Sequence, residues 1–332
     1  MAAAPKPGGP AAQKRRVPVV VERHVDPWLH FVAGGLGGMA GAVATSPLDV
    51  LRTRQQLYGT QRPTATAPTG GYLMRAARPL ANTATFLRDL CVKEGARGWF
   101  AGLGPALVGI VPSRAIQFFT YANGKQVLAR WNGNESPLVQ LSAAAFAAMV
   151  TTTATSPIWM VKTRMQLAKN GHRSSFACLR AIVEKEGLFG LYKGTSAAYL
   201  GASESAIQWM IYEQLKHAAR ARGTDATSKS RASWFEYFGA AAAAKLLASV
   251  VTYPHEVLRT RLRQPPDEHG AVKYRGLVRS ARIIFAEEGL RGFYGGLTPH
   301  LLRTVPNASI MFLAYELVVY HFGTTSAVAP AR

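Results

Sequence analysis

Residues 46 to 56 read SPLDVLRTRQQ, residues 156 to 166 read SPIWMVKTRMQ, and residues 253 to 263 read YPHEVLRTRLR. A second element follows each: EGARGWFAG at 94 to 102, EGLFGLYKG at 186 to 194, and EGLRGFYGG at 288 to 296. Two elements recurring three times in one order define an internal repeat, with a period of about one hundred residues, longer than the usual solenoid units. The chain of 332 residues, which would suit two soluble domains on length alone, is therefore read as three modules. Their boundaries are placed at 27 to 131, 132 to 222 and 223 to 322, between a flexible N-terminal tail over 1 to 26 and a C-terminal tail over 323 to 332.

Only 17% of the residues are charged, against about 25% in soluble globular chains, and 48% are apolar. The charges are missing in blocks. Residues 27 to 48 and 136 to 161 hold no Asp, Glu, Lys or Arg, and 98 to 124, 194 to 212, 237 to 255 and 292 to 315 hold one each: Arg114, Glu204, Lys245 and Arg303. A helix needs about 20 mostly apolar residues to cross the hydrocarbon core, so these are six candidate spans, two in each module. Two spans return the chain to its starting side. The modules then repeat in parallel about an axis along the membrane normal, and six helices so placed enclose a central cavity. The expected fold class is an all-α membrane protein.

A formal charge of +21 invites a nucleic-acid reading, but the distribution excludes it. Segments 50 to 97, 160 to 193 and 257 to 291 hold 23 of the 39 Lys and Arg residues. Three basic loops on one side with both termini on the other is the asymmetry of a polytopic membrane protein. Within those loops, Thr85, Phe86, Leu87, Leu90 and Val92, and again Val278, Ala281, Ile283, Ile284 and Phe285, are spaced for short amphipathic helices at the membrane surface. The first loop is longer, and its extra residues around Gln61 to Gly71, rich in Thr, Pro and Gly, read as an exposed loop. Cys91 and Cys178 have no metal or redox spacing. The N-terminus carries Pro5, Pro7, Pro10 and Pro18 and lacks the apolar core of a secretory signal, so targeting is expected to be internal.

The prolines Pro47, Pro157 and Pro254 each remove a backbone donor and kink or break the helix that carries them. In each motif the acid and the base lie three apart, on one helical face. A charge inside a span is expensive and by default faces a water-filled cavity. Three bases, Arg114, Lys245 and Arg303, against one acid, Glu204, favour an anionic substrate, unless Glu204 forms a structural pair with one of them. The two arginines offer planar forks suited to phosphate, and the lysine a movable point charge.

The triplicated P-x-[DE]-x-x-[KR]-x-[KR]-x-Q, followed by E-G and an aromatic-x-Gly, resembles the mitochondrial carrier family from about Trp28 to Tyr320. Trp159 in the second motif, YPHEVLRTRLRQ in the third, and PSRAIQF in the second span resemble its pyrimidine nucleotide carriers. The resemblance implies six transmembrane helices as three parallel two-helix repeats with pseudo-threefold symmetry, plus short surface helices on the matrix side. It places the chain in the mitochondrial inner membrane, multi-pass, as a monomer with both termini facing the intermembrane space. A matrix gate is implied at Asp49 with Lys162 and Glu256 with Arg52, braced by Gln56 and Gln166. Trp159 takes the third acidic place, which leaves Arg259 without its carboxylate and facing the indole. Arg263 replaces the third glutamine.

The cytoplasmic gate of the family matches at Tyr212, Glu213 and Lys216. Tyr121 with Lys125 lacks the acid, and Tyr315 with Glu316 lacks the base. At most two bridges form there, worth about 0 to 1 kcal/mol each when exposed. Substrate contacts are carried over to Ser113, Arg114, Gln117 and Tyr121, to Gly201, Ala202 and Ser205, and to Arg303 and Asn307, while Glu204 and Lys245 join them as charges inside the spans. Gly201 and Ala202 are expected to leave room for a flat base. Cardiolipin is expected at Tyr192, Lys193 and Gly194, and at Tyr274, Arg275 and Gly276.

Gly35-Leu36-Gly37-Gly38-Met39-Ala40 satisfies the dinucleotide fingerprint but lies inside an apolar span, where Gly34/Gly38 and Gly37/Gly41 read as helix-packing pairs. With no Walker loop, H-E-x-x-H or G-x-S-x-G, the chain is not expected to be an enzyme or to hold a metal or cofactor. The reading is a transporter that exchanges or imports pyrimidine nucleotides by alternating access, with no nucleic acid polymer as partner. A carrier of folate, flavin or nicotinamide nucleotides, and a transport-inactive receptor or scaffold on the same fold, are the alternatives.

Overall fold

The computed structural model describes residues 23–24, 27–58, 72–133, 136–168, 174–221, 231–266, 271–322 and 324–325. Most of both tails and the loop expected around Gln61 to Gly71 lie outside the described residues. The first module holds α1 (Pro27–Ala44), α2 (Ser46–Tyr58), α3 (Tyr72–Trp99) and α4 (Leu103–Asn132). The second holds α5 (Pro137–Leu167), α6 (Ser175–Glu186), a 3-10 turn at Leu188–Tyr192, α7 (Thr195–Leu200) and α8 (Ala202–Ala221). The third holds α9 (Arg231–Leu262), α10 (Leu277–Gly292) and α11 (Leu297–Phe322). Two short strands, β1 (Arg23–His24) and β2 (Thr324–Thr325), pair antiparallel, with Arg23 opposite Thr325 and His24 opposite Thr324.

The long helices close a ring in the order α1, α4, α5, α7/α8, α9, α11 and back to α1, and the most extensive contacts join consecutive modules. Small residues permit the approach. A Cβ on Gly37 would lie 2.6 Å from the Met311 carbonyl, and one on Gly41 would lie 2.8 Å from Asn307 Oδ1, so this glycine pair seats α1 on α11. Outward side chains are apolar and uncovered, with Phe119 72% and Leu138 75% exposed, whereas Asp49, Arg52, Arg54, Gln56, Gln166 and Arg261 are buried. This inverts the soluble pattern, and a large exposed apolar surface marks a membrane or partner face.

The three prolines act differently. At Pro47 the chain breaks, and α1 and α2 meet at 65°, while Pro157 and Pro254 lie inside the continuous helices α5 and α9. Two further prolines that the repeat did not flag, Pro112 and Pro306, lie inside α4 and α11. Among the described residues, one helix, Leu138–Leu167, is long and apolar enough to cross a membrane, or two if the bent pair α1/α2 is one span. Among the described residues, the other ring helices do not reach that length and mean hydropathy. The helix before the first Glu-Gly is not short: α3 is helical from Tyr72 up to a kink at Gly95, where φ is 64° and ψ −162°.

Each module is locked by the same local devices. The Glu-Gly glycines Gly95, Gly187 and Gly289 have φ of 64°, 71° and 64°, and so end their surface helices in a conformation that L side chains rarely adopt. The aromatic-x-Gly glycines Gly102, Gly194 and Gly296 have φ of 74°, 82° and 77°. A Cβ on them would meet the carbonyls of Lys162, Arg259 and Arg52 at 2.8, 3.0 and 2.8 Å. Each module thus packs its backbone on the motif helix of the next. The residue before each proline ties that helix to its own module: Ser46 donates to the Trp99 carbonyl at 2.9 Å, Ser156 to Leu191 at 3.2 Å and Tyr253 to Gly295 at 3.0 Å.

Gly102→Ala adds both a left-handed penalty and a backbone clash. We expect it to destabilise the folded protein by about 1 to 3 kcal/mol, read as a lowered midpoint of thermal unfolding in detergent. Gly34→Ala, where a Cβ meets nothing within 4 Å, serves as the matched control and should leave the midpoint almost unchanged.

Candidate functional site

The motif stretches of α2, α5 and α9 converge at one end of the ring. Lys162 Nζ lies 2.6 Å from Asp49 Oδ2, and Arg52 Nη2 lies 2.6 Å from Glu256 Oε2, so both pairs implied by the resemblance are present. Arg303 of α11 also reaches Asp49, through Nη1 to Oδ1. Asp49 is therefore shared between two cations and accepts a further bond from Gln166 Nε2 at 2.9 Å.

The third position corrects the sequence reading. Arg259, expected on the face of Trp159, instead places Nη2 2.6 Å from Glu256 Oε2. A charged carboxylate one turn away on its own helix outcompetes the quadrupole of an indole. The cation over the Trp159 ring is Lys162, with Nζ 5.1 Å from the centroid, and the indole Nε1 donates to Thr155 Oγ1 at 3.1 Å.

A cyclic set of brace contacts lies one turn further on. Thr53 donates to Gln166 Oε1 at 2.7 Å, Thr260 donates to Gln56 Oε1 at 2.6 Å, and Arg263 Nη1 donates to Thr163 Oγ1 at 3.2 Å. Gln166 thus braces Asp49 directly, whereas Gln56 reaches Thr260 and, at 3.2 Å, Tyr253 rather than the neighbouring ion pair. The second base of each motif binds the Glu of its own Glu-Gly element: Arg54 with Glu94 at 2.5 Å, Arg164 with Glu186 at 2.6 Å and Arg261 with Glu288 at 2.7 Å. Sequence reasoning missed these pairs, although both partners recur three times in the same order.

Above the motif pairs lies a cavity of about 440 Å³. Of the expected substrate residues, Ser113, Arg114, Arg303 and Asn307 line it. Gln117, Tyr121, Gly201, Ala202, Glu204, Ser205 and Lys245 are not in that lining. Two of these have other partners: Glu204 Oε1 receives Lys245 Nζ at 2.7 Å and Ser249 Oγ at 3.0 Å, so their charges cancel across α8 and α9. The space expected at Gly201 is taken by His255, whose Nε2 would lie 2.8 Å from an added Cβ.

At the opposite end, Tyr315 hydroxyl and His30 Nδ1 are 2.5 Å apart and their rings stack. Glu316 is exposed, Tyr121, Lys125 and Tyr212 are half-buried, and the side chains of Glu213 and Lys216 lie outside the described residues. On the outer surface, Tyr192, Lys193 and Gly194 line one groove of about 440 Å³ together with Tyr274, Arg275 and Gly276. The two expected lipid sites are therefore two walls of a single groove. Lys193 is tied to Glu186 at 2.5 Å. Beside the groove, Lys273 Nζ donates a 2.5 Å hydrogen bond to Glu287 Oε2, which raises the Lys273 pKa above the ordinary lysine value, so this edge stays cationic.

The family model described as mitochondrial carrier protein matches residues 23–131, 133–222 and 230–326. The mitochondrial pyrimidine nucleotide transporter RIM2 of Saccharomyces cerevisiae is 46% identical over 330 residues, covering 90% of this chain and 88% of that protein. The mitochondrial carrier protein rim2 of Schizosaccharomyces pombe is 45% identical, with 91% and 92% covered. Solute carrier family 25 member 33 of Homo sapiens is 39% identical, with 88% and 94% covered.

The shared carboxylates lead to an unequal expectation. Asp49→Asn strands two cations and should destabilise the closed floor by about 3 to 5 kcal/mol, as for a broken buried pair. Lys162→Gln leaves Asp49 with Arg303 and Gln166 and should destabilise it less. Thermal unfolding of the two purified variants in detergent orders them; equal losses would show that Asp49 serves only one base.

Proposed function

Because this chain belongs to the mitochondrial carrier family, whose members are alternating-access transporters with a salt-bridge network rather than enzymes, we propose that it carries pyrimidine nucleotides across the mitochondrial inner membrane. The observation that carries this reading is the cavity lining, in which Arg52, Arg114, Lys162, Arg259, Arg263 and Arg303 face only the carboxylates Asp49 and Glu256. Such an excess selects an anion of several charges. The yeast relative, a mitochondrial pyrimidine nucleotide transporter, supports a pyrimidine base.

In this reading the ring is six transmembrane spans with pseudo-threefold symmetry: α1/α2, α4, α5, α7/α8, α9 and α11. The modules run over 27–131, 132–222 and 223–322, and both termini face the intermembrane space. Asp49, Arg52, Trp159, Lys162, Glu256 and Arg259, braced by Gln56 and Gln166, form the matrix gate. Tyr121, Lys125, Tyr212, Glu213, Lys216, Tyr315 and Glu316 form the cytoplasmic one. The monomer seats cardiolipin in the groove between Lys193 and Arg275.

Phosphate entering the cavity meets Arg114 and then Arg303. A phosphate oxygen on Arg303 competes with Asp49 for the same guanidinium, which weakens one of the contacts that close the floor. Substrate binding and opening are thereby coupled through one side chain. Exchange follows when the emptied gate re-forms on the return.

Uptake into liposomes tests the reading. Labelled UTP should be displaced by UTP, CTP or TTP far better than by ATP, and Arg114→Ala or Arg303→Ala should lose at least about tenfold, the equivalent of a charge-assisted bond of about 1.5 to 3 kcal/mol. Equal competition by ATP, or strong competition by folate or flavin, would reject the pyrimidine. Absence of flux for every nucleotide would leave a receptor or scaffold.

A further inference from the structure

Five cationic side chains gather at the floor of the cavity: Arg52, Lys162, Arg259, Arg263 and Arg303. The two carboxylates among them are each already shared, Glu256 by Arg52 and Arg259, and Asp49 by Lys162 and Arg303. The shortage has two sources in the sequence. Trp159 stands where the other motifs place Asp49 and Glu256, which removes a negative charge. Arg263 stands where they place Gln56 and Gln166, which adds a positive one.

Arg263 is only 5% exposed. Its Nη1 donates to Thr163 Oγ1 at 3.2 Å and to the Trp159 carbonyl at 3.3 Å, while its Nε has no hydrogen-bond partner. Among the described residues, no carboxylate pairs with it. A buried guanidinium without a counter-ion is strongly unfavourable. A buried donor without an acceptor adds to that penalty.

We propose that Arg263, with Arg259 and Lys162 beside Trp159, forms an anion subsite at the cavity floor that takes the distal phosphates of the substrate and so favours nucleoside tri- and diphosphates over monophosphates. The proposal rests on the nucleotide reading above. The substrate supplies the charge that Trp159 withholds: a terminal phosphate carries about −1.5 to −2 near neutral pH and accepts from several donors at once. The planar fork of Arg263 suits two phosphate oxygens, and Lys162 adds a movable charge. A monophosphate held at Arg114 and Arg303 leaves this subsite empty, whereas a longer phosphate chain extends into it.

The same chain contains the control for a merely structural role. Gln56 and Gln166 make side-chain bonds to Thr260 and Thr53 at 2.6 and 2.7 Å, as Arg263 does to Thr163, so glutamine at 263 can keep the brace without the charge. In liposomes holding the full-length carrier, half-inhibition of labelled UTP uptake is measured for UTP and for UMP. Arg263→Gln should reduce the preference for UTP over UMP at least tenfold, mostly by weakening UTP, and Arg263→Lys should retain part of it. Trp159→Glu, which supplies an internal carboxylate, should also erase the preference. Equal weakening of UTP and UMP in Arg263→Gln, or no change in either, overturns the subsite and leaves Arg263 a brace.

Inorganic tripolyphosphate separates this failure from failure of the nucleotide reading. It should raise the melting temperature of the wild-type protein, and that rise should be lost in Arg263→Gln, whatever base the carrier accepts. Wild-type protein that takes up no UTP yet shows this loss keeps the subsite and rejects the nucleotide. Stabilisation that is equal in both proteins, or absent from wild type, rejects the subsite.

Discussion

Two carboxylates must serve five cations at the floor of the cavity, and the rest of the site depends on that shortage. A balanced ring of ion pairs can close without help. Here Asp49 and Glu256 each hold two bases, so four of the cations are only partly compensated, Arg263 has no carboxylate among the described residues, and any arriving anion competes for them. The desolvation penalty of buried charge makes such sharing tolerable only where the geometry is tight and further hydrogen bonds are made. Gln166 supplies one of these to Asp49, and the Thr53 and Thr260 hydroxyls hold the two glutamines in place.

The remaining contacts translate the state of the floor to the whole ring. Arg54, Arg164 and Arg261 fasten the motif helices to the Glu-Gly elements of their own modules, and Gly102, Gly194 and Gly296 rest on the motif backbone of the next module. A motif helix therefore moves together with its own surface helix and presses on one neighbour. Cyclic repetition of that link means that one module cannot shift alone, which favours two discrete arrangements over gradual deformation. The outward apolar belt places no comparable constraint on this motion, because lipid accepts any arrangement that keeps backbone groups satisfied.

What was legible in the sequence was whatever the chain states three times. Repetition and i, i+3 spacing put an acid and a base on one face of the first and third motif helices, and the family resemblance supplied the pairing of Asp49 with Lys162 and Arg52 with Glu256. The Arg54 with Glu94 type of pair was equally repeated, yet its partners are 40 residues apart and only the folded module joins them. Single departures from the repeat were harder. Trp159 suggested an indole partner for Arg259, but Glu256 lies one turn away on the same helix and wins. Gly201 suggested space, and a histidine from α9 fills it. Tyr192 and Tyr274 read as two lipid sites because nothing local reveals that α9 brings them to one groove. Spans were clear as gaps in charge, yet among the described residues length and mean hydropathy single out α5, or α5 with the bent pair α1/α2.

The central claim is that α2 and α5 must part at the floor for transport to occur. Thiol cross-linking tests it most directly, using Thr53→Cys with Gln166→Cys in a background where Cys91 and Cys178 are alanine. Thr53 Oγ1 and Gln166 Oε1 touch at 2.7 Å, so a short bis-methanethiosulfonate reagent should span the gap that the shorter cysteine leaves. The carrier should transport before cross-linking, stop once linked, and recover when a reductant removes the link. A carrier that is fully cross-linked and still transports at the rate it had before linking would contradict the account.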